Sequence, residues 1–283
     1  MNVQTVMVIG AGQMGGGIAQ VMAAAGHKTC LNDVKIEIVM SRMDFIKKLL
    51  EKDMSKGKIT EEEKTATLAN LIPSTELADA KDCDLAVEAI VESMDVKGKV
   101  FATLDEVCKP SCILASNTSS LPITEIAAFT KRPEQVIGMH FMNPVPVMNL
   151  VEVIRGLATS DVTYQVVRDL SVKLKKTPVE VKDVPGFISN RVLQMMINEA
   201  IYCLYEGISD VEGIDTVMKL GMNHPMGPLQ LADFIGLDTV LYIMETLYNG
   251  YADSKYRPCP LLRQYVKAGW LGKKAGRGFY RYG

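Results

Sequence analysis

Thr5-Val6-Met7-Val8-Ile9-Gly10-Ala11-Gly12-Gln13-Met14-Gly15 is a β-branched apolar run that breaks into three glycines spaced G-x-G-x-x-G. From Met14 to Ala25 the residues are small, apolar and helix-compatible until Gly26 stops them, so strand, glycine turn and helix follow in order. In such a turn the first glycine allows the tight bend, the second lets backbone approach a pyrophosphate, and the third lets helix and strand pack closely. N–H groups at the helix N-terminus then face the phosphates, where the macrodipole also favours negative charge. A second strand, Lys28 to Asn32, ends at Asp33, which is placed to accept hydrogen bonds from an adenosine ribose. A carboxylate there repels a 2′-phosphate, which favours NAD(H) over NADP(H), although Lys35 stands close by.

Outward from that unit, an amphipathic helix runs from about Ile36 to Met54, with Lys47, Lys48, Lys52, Lys56 and Lys58 at or just beyond its far end. Further apolar runs occur at Leu85 to Ile90, Cys112 to Ala115, Val136 to Phe141 and Leu150 to Ile154, with a helical segment at Val96 to Val107. The alternation predicts an α/β fold, a Rossmann-type doubly wound and mostly parallel sheet. After Val179-Glu180-Val181 the chain breaks at Pro185-Gly186, and helical patterns dominate: Ile188 to Tyr205, Ile214 to Leu220, Leu229 to Asp233, Leu237 to Tyr248 and Leu261 to Ala268. Residues 1–184 therefore read as a cofactor-binding domain and residues 185–283 as a smaller all-α domain.

Composition narrows the function classes. With 31 Lys and Arg against 33 Asp and Glu, a net charge of -2 and no long block of one sign, the chain lacks the basic footprint of a nucleic-acid binder. Its six cysteines are scattered with no histidine near the closest pair, Cys108 and Cys112, so they are expected to be reduced thiols and not zinc ligands. Neither a leader pattern nor a stretch of 18 apolar residues is present, and a cytoplasmic location is expected.

Hydride transfer from an alcohol needs a base for the hydroxyl proton, and only three histidines exist. His27 follows Gly26 at a turn and is expected on the surface; His224 lies in the loop Asn223-His224-Pro225. His140 sits near the end of an apolar strand, and strand ends in open α/β sheets face the cofactor crevice. Position alone leaves His140 as either a satisfied core histidine or an acid/base. Glu152, inside the apolar strand Leu150-Val151-Glu152-Val153-Ile154, is an acid that needs a partner if buried, and His140 would supply one. Ser116-Asn117-Thr118-Ser119-Ser120 adds hydroxyls and an amide after the strand that ends at Ala115.

At these residues the chain resembles the 3-hydroxyacyl-CoA dehydrogenase family, and the similarity covers essentially its whole length. It rests on Gly-Ala-Gly-Gln-Met-Gly at 10–15, Ala-Ser-Asn-Thr-Ser-Ser at 115–120 and Gly-Met-His-Phe-Met-Asn-Pro-Val-Pro-Val-Met at 138–148. Leu-Val-Glu-Val-Ile at 150–154, Pro-Gly-Phe-Ile-Ser-Asn-Arg at 185–191 and Asn-His-Pro-Met-Gly-Pro at 223–228 complete it. The resemblance implies His140 as acid/base, Glu152 as its orienting partner, and Ser119 and Asn190 as hydrogen-bonding groups around a 3-hydroxyacyl-CoA or 3-ketoacyl-CoA of short chain. For NAD(H) it adds Glu92, Lys97, Ser119, Asn143 and Lys274 to Gly10, Ala11, Gly12, Gln13, Met14, Gly15 and Asp33; for CoA it points to Lys56 with Lys52 as helper. It also implies a homodimer formed through the C-terminal domain and closure of the two domains over bound substrate. Met142 stands where the pattern usually has Phe and Asn149 where it often has Lys, and neither position carries a chemical role. A dehydrogenase of the same fold for another acid, and a non-catalytic dinucleotide-binding protein, are the alternatives.

Overall fold

The computed structural model describes residues 2–283 and divides into two compact units, the first ending at Asp183 and the second running from Val184 to Gly283. The first unit holds eight strands: β1 (Thr5–Ile9), β2 (Lys28–Asn32), β3 (Leu71–Ser74), β4 (Leu85–Glu88), β5 (Ile113–Ser116), β6 (Val136–Phe141), β7 (Leu150–Arg155) and β8 (Thr177–Lys182). Among the described residues six α-helices accompany them: α1 (Gln13–Ala24), α2 (Ile36–Ser55), α3 (Glu61–Ala69), α4 (Met94–Val107), α5 (Ile123–Ala127) and α6 (Asp161–Lys173). The strands form one sheet in the order β3-β2-β1-β4-β5-β6-β7-β8, parallel throughout except where β7 runs antiparallel to β6. The first six have the doubly wound order 3-2-1-4-5-6, so the expected mostly parallel Rossmann-type sheet is present.

Central strands of such a sheet are covered on both faces, which is why they read as unbroken apolar runs. Val6, Met7, Val8, Leu85, Ala86 and Val87 are all buried, and Val6, Val8, Leu85 and Val87 pack with Ile18, Ala19 and Met22 of α1 in one core. The glycine turn joins β1 to α1 under steric necessity. Gly10 has φ +100°, and a Cβ on it would lie 2.6 Å from the Ala89 carbonyl oxygen. A Cβ on Gly15 would collide with the carbonyl oxygen of Gly10.

Of the elements not predicted above, which include α5 and β8, three are informative. Helix α3, Glu-Glu-Glu-Lys-Thr-Ala-Thr-Leu-Ala, has no apolar stripe; it is started by a capping box in which Thr60 Oγ1 accepts from Glu63 N and Glu63 Oε2 accepts from Thr60 N. Strand β3 contains Pro73 and lies at the sheet edge, where a missing N–H costs little. Helix α6 is the third, and it corrects the placement of His27. That imidazole is buried, lines a cavity with Asp161, Asp169 and Lys173 of α6, and has Nδ1 3.1 Å from the Val3 carbonyl oxygen.

The second unit is helical: α7 (Ser189–Tyr205), α8 (Val211–Thr216), α9 (Pro228–Ile235), α10 (Leu237–Tyr251) and α11 (Pro260–Lys267). A π turn at Val217–Gly221 follows α8 where a continuous helix to Leu220 was expected. Ile197, Ile201, Leu229, Leu237, Val240 and Leu262 form its core. Two buried carboxylates tie down the C-terminal segment: Asp233 accepts from the backbone N–H groups of Phe279 and Tyr280, and Asp215 from the Tyr280 hydroxyl. Among the described residues no helix is long and apolar enough to cross a membrane, and all six cysteines are free thiols.

Candidate active site

The C-terminal ends of β1, β2, β4, β5 and β6 bring most of the candidate residues of the first unit to one edge of the sheet, the edge where open α/β proteins bind ligands. His140 and Glu152 are cross-strand neighbours, paired in register between β6 and β7. Directly opposite residues on an antiparallel pair project to the same face. Nδ1 of His140 accordingly lies 2.8 Å from Glu152 Oε2, with the ring 11% and the carboxylate 2% exposed. A buried carboxylate is stabilised by such a partner, and in return it fixes the tautomer and orientation of the imidazole.

A second cluster lies at the ends of β4 and β5. Glu92 Oε1 accepts from Thr118 Oγ1 at 2.6 Å, Ser119 N at 3.0 Å, Ser119 Oγ at 3.3 Å, Ser120 N at 3.1 Å and Ser120 Oγ at 3.0 Å. Its Oε2 lies 3.2 Å from Lys97 Nζ. Desolvation raises the pKa of the Glu92 carboxyl, but the Lys97 charge and the donors at 118–119 outweigh it and hold the group below its ordinary 4.5. Lys97 is buried and also bonds Glu88 Oε1 at 2.6 Å; Glu88 in turn accepts from Ser116 Oγ at 2.7 Å. Glu88 was not singled out in the sequence. The signal was available, because it is an acid in a buried apolar strand, the same reasoning that marks Glu152.

The glycine turn opens onto a cavity of about 940 Å³ lined by Gly10, Gly12, Asn32, Asp33, Thr75, Glu76, Ala89, Ile90 and Val96, among others. Gly12 is the informative glycine. A Cβ built on it meets nothing within 4 Å, so no protein neighbour forbids a side chain there; the space it borders lies within this cavity. Asp33 lines the same cavity, with Oδ2 accepting from Ala11 N and Oδ1 from Val34 N, both at 2.8 Å. An acid at one end, a glycine turn backed by a helix N-terminus and an apolar wall fit an adenine dinucleotide lacking a 2′-phosphate.

A separate cavity of about 420 Å³ joins Lys52 and Lys56 of the α2 end to Arg42, Phe45, Gln13 and the loop Asn143–Val147. Asn143 Oδ1 accepts from Gln13 Nε2 at 2.9 Å, tying that loop to the glycine turn. Lys176 braces the loop from behind, with Nζ donating to the carbonyls of Val145 at 2.6 Å and Met148 at 2.7 Å. Burial of this ammonium lowers its pKa from 10.5. In the helical unit, Asn190 is the second residue of α7, and Lys274 lies in the 3-10 turn Lys273–Ala275, donating to Asp238 Oδ2 at 2.7 Å. His224 lies half-buried outside the helices, after the π turn.

Two family descriptions match nearly end to end: the NAD binding domain of 3-hydroxyacyl-CoA dehydrogenase over residues 5–184 and its C-terminal domain over residues 186–282. The chain is 62% identical over 282 residues to a probable 3-hydroxybutyryl-CoA dehydrogenase of Bacillus subtilis, covering 100% of this chain and 98% of that protein. It is 56% identical over 280 residues to the 3-hydroxybutyryl-CoA dehydrogenase of Bradyrhizobium diazoefficiens, covering 99% and 96%. The crystal structure of (S)-3-hydroxybutyryl-CoA dehydrogenase from Ralstonia eutropha superposes with a TM-score of 0.98 at 48% identity, over 100% of both chains.

Proposed function

The chain belongs to the 3-hydroxyacyl-CoA dehydrogenase family, and from that premise we propose that it interconverts (S)-3-hydroxybutyryl-CoA and acetoacetyl-CoA with NAD(H). The observation that carries the chemistry is the buried His140–Glu152 pair, 2.8 Å apart at the ligand-binding edge of the sheet. Bound NAD(H) supplies the hydride acceptor or donor. His140, held at Nδ1 by Glu152, takes the C3 hydroxyl proton at Nε2 as the hydride leaves C3. In the reverse direction it returns that proton to the oxygen of the forming alcohol. Glu152 stabilises the imidazolium that exists between the two events.

Ser119 and Asn190 are assigned to the substrate oxygen, where a well-aimed donor contributes roughly 2.7–4 kcal/mol, as oxyanion-hole donors do. Gly10, Ala11, Gly12, Gln13, Met14 and Gly15 receive the pyrophosphate, Asp33 the adenosine ribose, and Glu92, Lys97, Asn143 and Lys274 the rest of the cofactor. Lys52 and Lys56, which border one cavity, are assigned to the phosphates of CoA. Exposed Ile208, Val217, Leu220 and Phe234 make the helical unit our assigned surface for a homodimer. Six free thiols fit a reducing, cytoplasmic setting.

Steady-state rates with acetoacetyl-CoA, longer 3-ketoacyl-CoAs and free 3-keto acids test the assignment. Turnover highest with acetoacetyl-CoA is expected. Turnover of free acids but of no CoA thioester would refute it.

A further inference from the structure

Glu88 is completely buried and lies at the end of β4, in register with Ser116 at the end of β5. Its Oε1 accepts from Lys97 Nζ at 2.6 Å and from the backbone N–H of Ile90 at 2.7 Å; its Oε2 accepts from Ser116 Oγ at 2.7 Å. Lys97, equally buried, also faces Glu92 Oε2 at 3.2 Å. The three side chains form a row, carboxylate, ammonium, carboxylate, whose charges sum to one net negative. None of the three lines the cavity at the glycine turn, and of the three only Glu92 is partly exposed, so Glu88 acts on a ligand through the charge and placement of its neighbours.

Topology locates that charge. Asp33 follows β2, on one side of the glycine turn that ends β1, and β4, β5 and β6 follow on the other side. A dinucleotide whose adenosine lies at Asp33 and whose pyrophosphate lies at the turn extends its nicotinamide over the ends of β4 and β5, toward His140 on β6. The ring is cationic in NAD+ and neutral in NADH.

We propose that Glu88 is a positioning residue that fixes Lys97 against Glu92 and leaves one net negative charge beside the nicotinamide, so that the site holds NAD+ more tightly relative to NADH than a neutral row would. This rests on the function proposed above. Glu88→Gln keeps the shape and cancels the net charge. A unit charge acting at roughly 10 Å through a partly buried medium changes an equilibrium by about tenfold, so the ratio of NAD+ to NADH dissociation constants should rise by about that factor. Glu88→Gln combined with Lys97→Met restores one net negative charge through Glu92, and the ratio should return to the wild-type value even where both affinities fall. A purely structural role for Glu88 moves both affinities together.

The experiment is calorimetric titration of the full-length wild type, Glu88→Gln and the double variant with NAD+ and with NADH. A raised ratio in the single variant and a wild-type ratio in the double variant support the inference. An unchanged ratio in the single variant overturns it while leaving the proposed function intact. Should the single variant not fold, a raised ratio in the double variant overturns it, and a wild-type ratio there supports it. A wild type that binds neither nucleotide overturns the proposed function first.

Discussion

Replacing Glu152 by Gln removes the carboxylate from His140 while retaining the size and one hydrogen-bonding oxygen of the side chain. Nδ1 and Oε2 lie 2.8 Å apart and the carboxylate is 2% exposed, so little water screens the pair. Two unit charges about 4 Å apart at an effective dielectric constant near 20 interact by about 4 kcal/mol. The amide recovers part of that through its own dipole, leaving a loss of roughly 2–3 kcal/mol in the state where the imidazole is charged. At 1.36 kcal/mol per decade that is a fall in kcat on the order of 10²-fold. In the oxidation direction the charge develops only as the proton moves, so kcat and kcat/KM should fall together and KM for (S)-3-hydroxybutyryl-CoA should hardly change. The assay is steady-state NADH formation at saturating (S)-3-hydroxybutyryl-CoA and NAD+, with circular dichroism to establish folding. A folded variant whose kcat lies within about threefold of wild type would refute the assigned role of Glu152.

Two glycines three residues apart should separate fold from cofactor. Gly12→Ala meets no protein atom and should leave the thermal midpoint nearly unchanged while NADH fluorescence no longer reports binding; Gly15→Ala collides with the Gly10 carbonyl and should unfold the protein at lower temperature. Burial chiefly, with Lys173 adding to it, lowers the pKa of His27 from 6.5, so the unfolded chain takes up a proton that the folded chain refuses. Stability should therefore rise with pH up to about 6.5, and His27→Leu should flatten that slope in urea titrations. Glu92 has a linkage of the same sign in a more acid range. Its carboxyl is held below 4.5, so its contribution is present above that pH and lost as pH falls through the lowered value; Glu92→Gln should reduce the loss of stability in that acid range. Lys176→Met removes both bonds to the 145–148 carbonyls and should raise KM for the CoA substrate several-fold more than it lowers kcat.

Strands β1, β2, β4, β5 and β6 were legible because burial on both faces demands unbroken apolar runs, and α1 because three glycines and a following apolar helix allow few other readings. Helix α3 was not, since its charged sequence carries no periodicity and its start depends on a hydrogen-bonded cap between Thr60 and Glu63. His27 was misplaced because a turn after glycine reads as surface until α6, distant in sequence, is known to share its cavity. Within the site, His140 and Glu152 could be proposed as partners from the need of a buried acid for one, whereas their register across β6 and β7 is visible only in three dimensions. Glu88, an acid in a buried apolar strand, carried the same signal as Glu152, whereas Lys176 carried none, because the carbonyl it bonds lies 31 residues away at Val145.

The claim that His140 is the acid/base is tested most directly by adding acetoacetyl-CoA and NADH to the wild type and to folded His140→Gln and following NADH consumption. Rapid turnover by the wild type and a loss on the order of 10²–10⁴-fold in the variant are expected. Undiminished turnover in the variant would contradict it.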